Sequence, residues 1–268
     1  MDYIKEFEAN RETWNKKTAI HYDSTFYDKS AFAKARNSLN PYELNTLGDV
    51  QGKSLLHLQC HFGQDSLSWA QKGAKVTGVD LSDAAIELAQ QLSKEMDLQA
   101  KFICCNVLDT SKHLHEKFDI VFTSYGVIGW LPDLKPWAQM IAERLNDGGI
   151  FYIVEFHPIA WMYDYINGKP KLKYHYNQQD AIYEEYQGTY ADAASKMISK
   201  EYGWNHSLSS VIQSLIEAGL TIEYFAEHDG SPYDVFPDME KRYDGMYYLK
   251  DQKYPMIFEL RARKNQVN

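Results

Sequence analysis

Residues 55–65, LLHLQCHFGQD, decide the fold. Leu55, Leu56 and Leu58 make an apolar run of strand length, and Gln59 to Gly63 break it with a tight turn before a helix-compatible stretch. A strand, turn and helix in this order open a nucleotide-type βα unit, whose loop ordinarily carries several glycines. Here only Gly63 is present, with glutamine and histidine where glycines are expected. Outward from this unit, strand-like runs recur at 75–80 (KVTGVD), 101–105 (KFICC), 118–124 (FDIVFTS) and 150–156 (IFYIVEF), after a first strand at 54–59. Between them, Ser82 is placed to cap a helix whose Ala85, Leu88, Ala89, Leu92 and Met96 share one face. Leu134 to Leu145 repeats the design with Pro136 in its first turn, and Asn146-Asp147-Gly148-Gly149 supplies the turn back to the fifth strand. Such alternation predicts a parallel sheet covered by helices on both faces.

The remainder is less regular. Residues 1–50 read as a partly aromatic helical segment, and 157–206 as a tyrosine-rich insertion lying over one edge of the sheet, with Tyr163, Tyr165, Tyr174, Tyr176, Tyr183, Tyr186, Tyr190 and Tyr202. Order returns with a helix capped by Ser207 and ended by Gly219, a strand at 220–228, and a last apolar strand in PMIFELRARK. The chain of 268 residues, 44% apolar, is long enough for one large domain. No stretch is long and apolar enough to span a bilayer, and the start MDYIKEFEANRETW is charged, so a cytoplasmic protein is expected. Cys60, Cys104 and Cys105 have no metal-ligand spacing, and no metal site is expected. A net charge of −9 disfavours nucleic acid as a partner and leaves a small molecule or a protein as the expectation.

In a doubly wound sheet ligands sit beyond the carboxyl ends of the central strands, so the first loop and Asp80, which ends the second strand, face one crevice. A carboxylate there can accept hydrogen bonds from two ribose hydroxyls. The plainer reading, that Asp80 caps the next helix, competes with Ser82 for that task. A dinucleotide is disfavoured, because its pyrophosphate needs the missing glycines.

From about residue 40 onward the sequence resembles the class I S-adenosylmethionine-dependent methyltransferases. The positions of that family's first motif are held here by His57, Gln59, His61 and Gly63, and Asp80 matches the ribose-binding acid of its second. LHLQCHFGQDSLSWA, GVDLS and WNHSLSSVIQSLIEAGL are similar to a bacterial branch in which the LQCHFG form is usual. The resemblance implies a Rossmann-like, doubly wound, seven-stranded, mostly parallel α/β sheet with its last strand inserted antiparallel, an N-terminal lid at 1–50 and a methyltransferase domain at 51–268. It implies S-adenosylmethionine as cofactor, S-adenosylhomocysteine as product, and contacts from Gln59, Cys60, His61, Gly63, Asp80, Leu81, Asn106, Val107, Ser124 and Tyr125. Gln59 and His61 are tolerable if their φ is negative and their side chains point away, or they donate to the cofactor's carboxylate.

Tyr125 and His157 are the candidate catalytic residues, and Trp14, Tyr22, Tyr27 and Trp130 the candidate lid or substrate contacts. Each has a structural alternative. Tyr125 can pack the sheet end, His157 can be bonded in the turn before Pro158, and the aromatics can form a satellite core. His57, inside an apolar strand, is expected in the core. The strand-four end lacks the Asp/Asn-Pro-Pro-aromatic tetrapeptide of enzymes that methylate base amino groups. A tRNA- or protein-modifying enzyme, using Lys169, Lys171 and Lys173 as a basic strip, and a non-catalytic cofactor-binding protein are the rival readings.

Overall fold

A computed structural model describes residues 3–166, 169–251 and 253–266. Three helices come first: α1 (Ile4–Asp23), α2 (Lys29–Ala35) and α3 (Pro41–Leu47). The alternating core then runs β1 (Ser54–Leu58), α4 (Gln64–Gln71), β2 (Lys75–Asp80), α5 (Asp83–Glu95), β3 (Ala100–Cys104), the single turn α6 (Thr110–His113), β4 (Phe118–Ser124), α7 (Leu134–Arg144) and β5 (Leu145–Phe156). Two ribbons follow, β6 (Tyr163–Ile166) with β7 (Lys169–Leu172) and β8 (Gln178–Gln187) with β9 (Ile198–Asn205). The chain closes with α8 (Leu208–Glu217), β10 (Leu220–His228), the small ribbon β11 (Met239–Lys241) and β12 (Tyr247–Leu249), and β13 (Ile257–Lys264).

Seven strands form the main sheet in the order β10-β13-β5-β4-β1-β2-β3. Only β13 runs against the rest, antiparallel to both β5 and β10. The strand alternation sorts the core. Leu56, Leu58, Val121, Phe151 and Ile153 face Trp137, Ile141, Val211 and Leu215 of α7 and α8, whereas Leu55, Ile120, Phe122 and Tyr152 face the side holding Trp69 and Leu47. Ser82 caps α5 through Ala85 N–H, and Ala85, Ile86, Ala89 and Leu92 pack with Phe62 and Phe102. Gly78 of β2 is required by space, since a Cβ there would lie 2.8 Å from Cys60 Sγ and from the Phe102 ring.

Two expectations are corrected. The Asn146–Gly149 turn is absorbed into β5 as an irregularity, for Phe118 pairs with Leu145 and Ile120 with Ile150, and Gly148 takes φ 77°. The insertion also does not lie over a sheet edge. β9 packs along α1, where the Asn10 amide accepts from Tyr202 N–H (2.8 Å) and donates to Tyr202 C=O (2.9 Å), and the Thr13 hydroxyl donates to Lys200 C=O. β9 also meets the Ile128–Trp130 turn after β4, so helix and ribbon together roof the carboxyl ends of the central strands. A helix cannot join a β ladder, and a side-chain amide supplies the missing donor and acceptor.

Candidate active site

The turn after β1 keeps glycine-type geometry without the glycines. Gln59 has φ 53°, His61 φ 50° and Gly63 φ 81°. The condition of a negative φ is therefore not met at either substituted position. Left-handed backbone costs an L-residue roughly 1–2 kcal/mol. A third bulky residue, Tyr125, sits at φ 47° at the end of β4, so the strain gathers at the ends of adjacent strands. The Gln59 amide donates to Val127 C=O (2.9 Å), which fixes its carbonyl as a buried acceptor without a partner. Both ring nitrogens of His61 are likewise buried and unpartnered.

Asp80 ends β2 facing this turn. It accepts His61 N–H at 2.8 Å on one oxygen and Ser82 N–H at 2.9 Å on the other. Burial pushes its carboxyl up to about 6, and those backbone bonds oppose the shift. Each oxygen keeps a second lone pair for a ribose hydroxyl. Beside it, Leu81 is half-buried, Cys60 and Val107 are buried, and Asn106 caps a short turn through Leu108 N–H. These residues, with Gly63, lie at the carboxyl ends of β1, β2 and β3.

The end of β4 is polar. The Ser124 hydroxyl donates to Asp65 (3.2 Å), and the Tyr125 hydroxyl donates to Glu43 (2.8 Å), which also accepts Asn40 N–H. Glu43 is fully buried, and burial, aided by the charge of Asp65, pushes its carboxyl up to about 8. Burial also raises Asp65, whose hydrogen bonds from Ser38 and Ser124 act against it. Glu155 of β5 turns its buried carboxylate under the loop after β4 and accepts Gly126, Val127 and Ile128 N–H, which holds that loop in place.

The roof is aromatic. Trp14 of α1 meets His61 and Trp130 edge-on, with centroids 5.3 and 5.4 Å away. Tyr27 packs on His61 and Phe62 and shares a 2.5 Å hydrogen bond with Tyr190 of the insertion, while Tyr22 touches Phe62. Trp14, Tyr22 and Tyr27 thus converge on the first loop, and Trp130 reaches them through Trp14. His157 does not join them: Glu227 engages its Nε2 (2.7 Å), Ile159 N–H donates to its Nδ1, and its ring lies against Phe258. His57 is in the core, bonded to the Ser66 hydroxyl. Sequence reasoning missed Glu43, Asp65, Glu155 and His21. The Asn40-Pro41-Tyr42-Glu43 capping box signalled the start of α3, but nothing local signals that its glutamate reaches Tyr125.

A sheet of this order with a site built at the ends of β1, β2 and β4 defines the Rossmann-like class of methyltransferase folds. Residues 56–151 match the family model described as "Methyltransferase domain". A ubiquinone biosynthesis O-methyltransferase of Pseudomonas fluorescens is 25% identical over 248 residues, which cover 90% of this chain and 93% of that protein. Among solved structures, an S-adenosylmethionine-dependent methyltransferase from Mesorhizobium loti superposes with TM-score 0.58 at 20% identity, over 84% of this chain and 96% of that one. A glycopeptide N-methyltransferase complexed with S-adenosylmethionine superposes with TM-score 0.55 at 15% identity, over 87% and 93%. The chain is a methyltransferase by its domain at residues 56–151, on the fold shared with these solved S-adenosylmethionine-dependent enzymes. Its residues fit the cofactor, for Asp80 offers free lone pairs and the first loop presents buried polar atoms that no protein group satisfies.

Proposed function

We propose that the enzyme methylates a small-molecule acceptor held between the Glu43–Tyr125 pair and the aromatic roof. When bound, the cofactor supplies an electrophilic methyl group on a sulfonium centre. The carrying observation is the roof itself: α1 and the β8–β9 ribbon, clasped through Asn10 and Thr13, cover the crevice where a polymer would need an open groove. The name of the Pseudomonas fluorescens relative, an O-methyltransferase of ubiquinone biosynthesis, agrees with a small acceptor.

Tyr125 and Glu43 orient a hydroxyl or amine of the acceptor, and the ionised form of Glu43, which prevails above about pH 8, takes up its proton through the Tyr125 hydroxyl, while the roof excludes water. Three free cysteines and the absence, among the described residues, of a helix able to cross a membrane fit work in the cytoplasm. The test is a screen of phenols and amines that follows S-adenosylhomocysteine release, repeated on Tyr125→Phe and Asp80→Ala. The expected result is turnover with one acceptor class, lowered ten-fold or more in kcat by Tyr125→Phe, and loss of cofactor affinity in Asp80→Ala. Unchanged cofactor affinity in Asp80→Ala would sink the site.

A further inference from the structure

Consecutive residues at the end of β4 hold two carboxyls that no cation balances. The Ser124 hydroxyl donates to Asp65 and the Tyr125 hydroxyl to Glu43. Glu43 is fully buried and Asp65 half-buried, and among the described residues neither has a lysine, arginine or histidine within ion-pair distance. Each lies in the first turn of a short helix, α3 or α4, whose dipole offers about half an elementary charge where a carboxylate brings a whole one. A row of rings extends from this pair. Tyr233, whose hydroxyl accepts from the Asn40 amide (3.1 Å), meets Tyr125 edge-on at 5.0 Å and stacks on Phe26 at 5.5 Å, and Phe26 meets Tyr190 at 5.3 Å. Tyr125, Tyr233 and Phe26 are half-buried and Tyr190 is exposed, so part of each ring is left uncovered by the core. His21 ends the row, 4.6 Å from the Tyr190 ring, and both its nitrogens are buried without a partner. Such orphaned nitrogens mark the row as open to a polar ligand rather than as closed apolar packing. The nearby Lys17 is itself balanced by Glu201 at 2.5 Å.

We propose that the acceptor is a cationic amine, whose ammonium sits against Glu43 and Asp65 and within the rings of Phe26, Tyr125, Tyr190 and Tyr233. The inference rests on the acceptor site proposed above and names what that site selects. Buried carboxylates are ordinarily paired, and here the ligand supplies the missing partner. An ammonium carries up to three N–H donors and no acceptor, which suits a site whose charged groups only accept. Tyrosine and phenylalanine faces attract a cation as well, and they add to the selection without adding charge. An anionic acceptor would instead meet two like charges in a site of low dielectric. A seated cation also favours the ionised form of Glu43, so recognition of the charge prepares the group that takes up the proton.

The experiment is calorimetric titration of the full chain, saturated with S-adenosylhomocysteine, using three probes that share a phenol ring and differ in their tails: tyramine (ammonium), tyrosol (neutral hydroxyl) and 4-hydroxyphenylacetate (carboxylate). Tyramine should bind about ten-fold or more tightly than either of the others. The variants are Glu43→Gln and Asp65→Asn, whose new amide can still bond to the Ser38 and Ser124 hydroxyls. Each should cut the preference for tyramine to less than about three-fold while changing S-adenosylhomocysteine affinity by less than about two-fold. Tyrosol or 4-hydroxyphenylacetate binding as tightly as tyramine would overturn the amine assignment and leave the small-molecule site standing, and so would a preference for tyramine that survives both variants. Failure of tyramine to bind at millimolar concentration would overturn the assignment as well. A folded wild type that does not bind S-adenosylhomocysteine would overturn the cofactor site on which both readings stand.

Discussion

Glu43 shows how a single carboxyl can both hold Tyr125 at the end of β4 and set the stability of the chain. Its folded pKa of about 8 lies above the ordinary carboxylate range because burial and the nearby Asp65 disfavour the charge. A raised folded pKa contributes stability that is fully present below the unfolded value and is lost as pH rises through 8. Glu43→Gln keeps the shape and can still pair with Asn40 and Tyr125 but no longer titrates. The variant should therefore gain on wild type between pH 5 and 8, by on the order of 1 kcal/mol per pH unit, in denaturant melts across that range. A constant difference between the two proteins would mean that Glu43 ionises normally. Such a role was invisible in the sequence, where Glu43 is only the fourth residue of a capping box. The positive φ at Gln59 and His61 was hidden for a related reason: residue type argued against it, and only the geometry of the turn requires it.

At the scale of elements, the regular core was legible because each strand carries its burial pattern locally. Runs such as FDIVFTS and KVTGVD fall on β4 and β2 with no change of bounds, and Ser82 and Ser207 cap the helices assigned to them. The ribbons were not legible, since their exposed faces leave no apolar period and α1, on which β9 packs, lies far away in the sequence. The clasp between α1 and β9 is the clearest case. Its centre is Lys17, whose side chain is 1% exposed and lies 2.5 Å from Glu201, with the Tyr186 hydroxyl bonded to both. Removing one partner of a buried pair strands the other charge, at a cost of about 3–5 kcal/mol. Lys17→Met should fall in that range in thermal or urea unfolding, and adding Glu201→Leu should recover most of the loss. If the double variant is no more stable than the single one, the pair is not the source of the cost.

For the whole molecule, the sheet and its roof differ in what holds them. The sheet is secured by three apolar clusters and by ladders that bury Leu55, Leu56, Phe122 and Ile153 completely, whereas the roof rests on polar clasps and on aromatic edges with partial exposure. Amides of α1 and β9 should exchange with deuterium well before those of β1, β4 and β5, and S-adenosylhomocysteine should slow the first group selectively. Uniform exchange across both regions would mean that roof and sheet open as one unit.

The clasp also has an order in time. Asn10 and Tyr202 are separated by 192 positions, so on a growing chain the first helix leaves the ribosome long before the strand that completes it. The sheet from β1 to β5 needs none of β9 and can assemble while α1 still lacks its partner. Contacts of such long range form late, because loop closure must precede their reward. The five strands β1 to β5 therefore precede the roof on the growing chain, and a nascent chain stalled before residue 198 would carry them with the crevice open to solvent, still lacking β9, α8, β10 and β13.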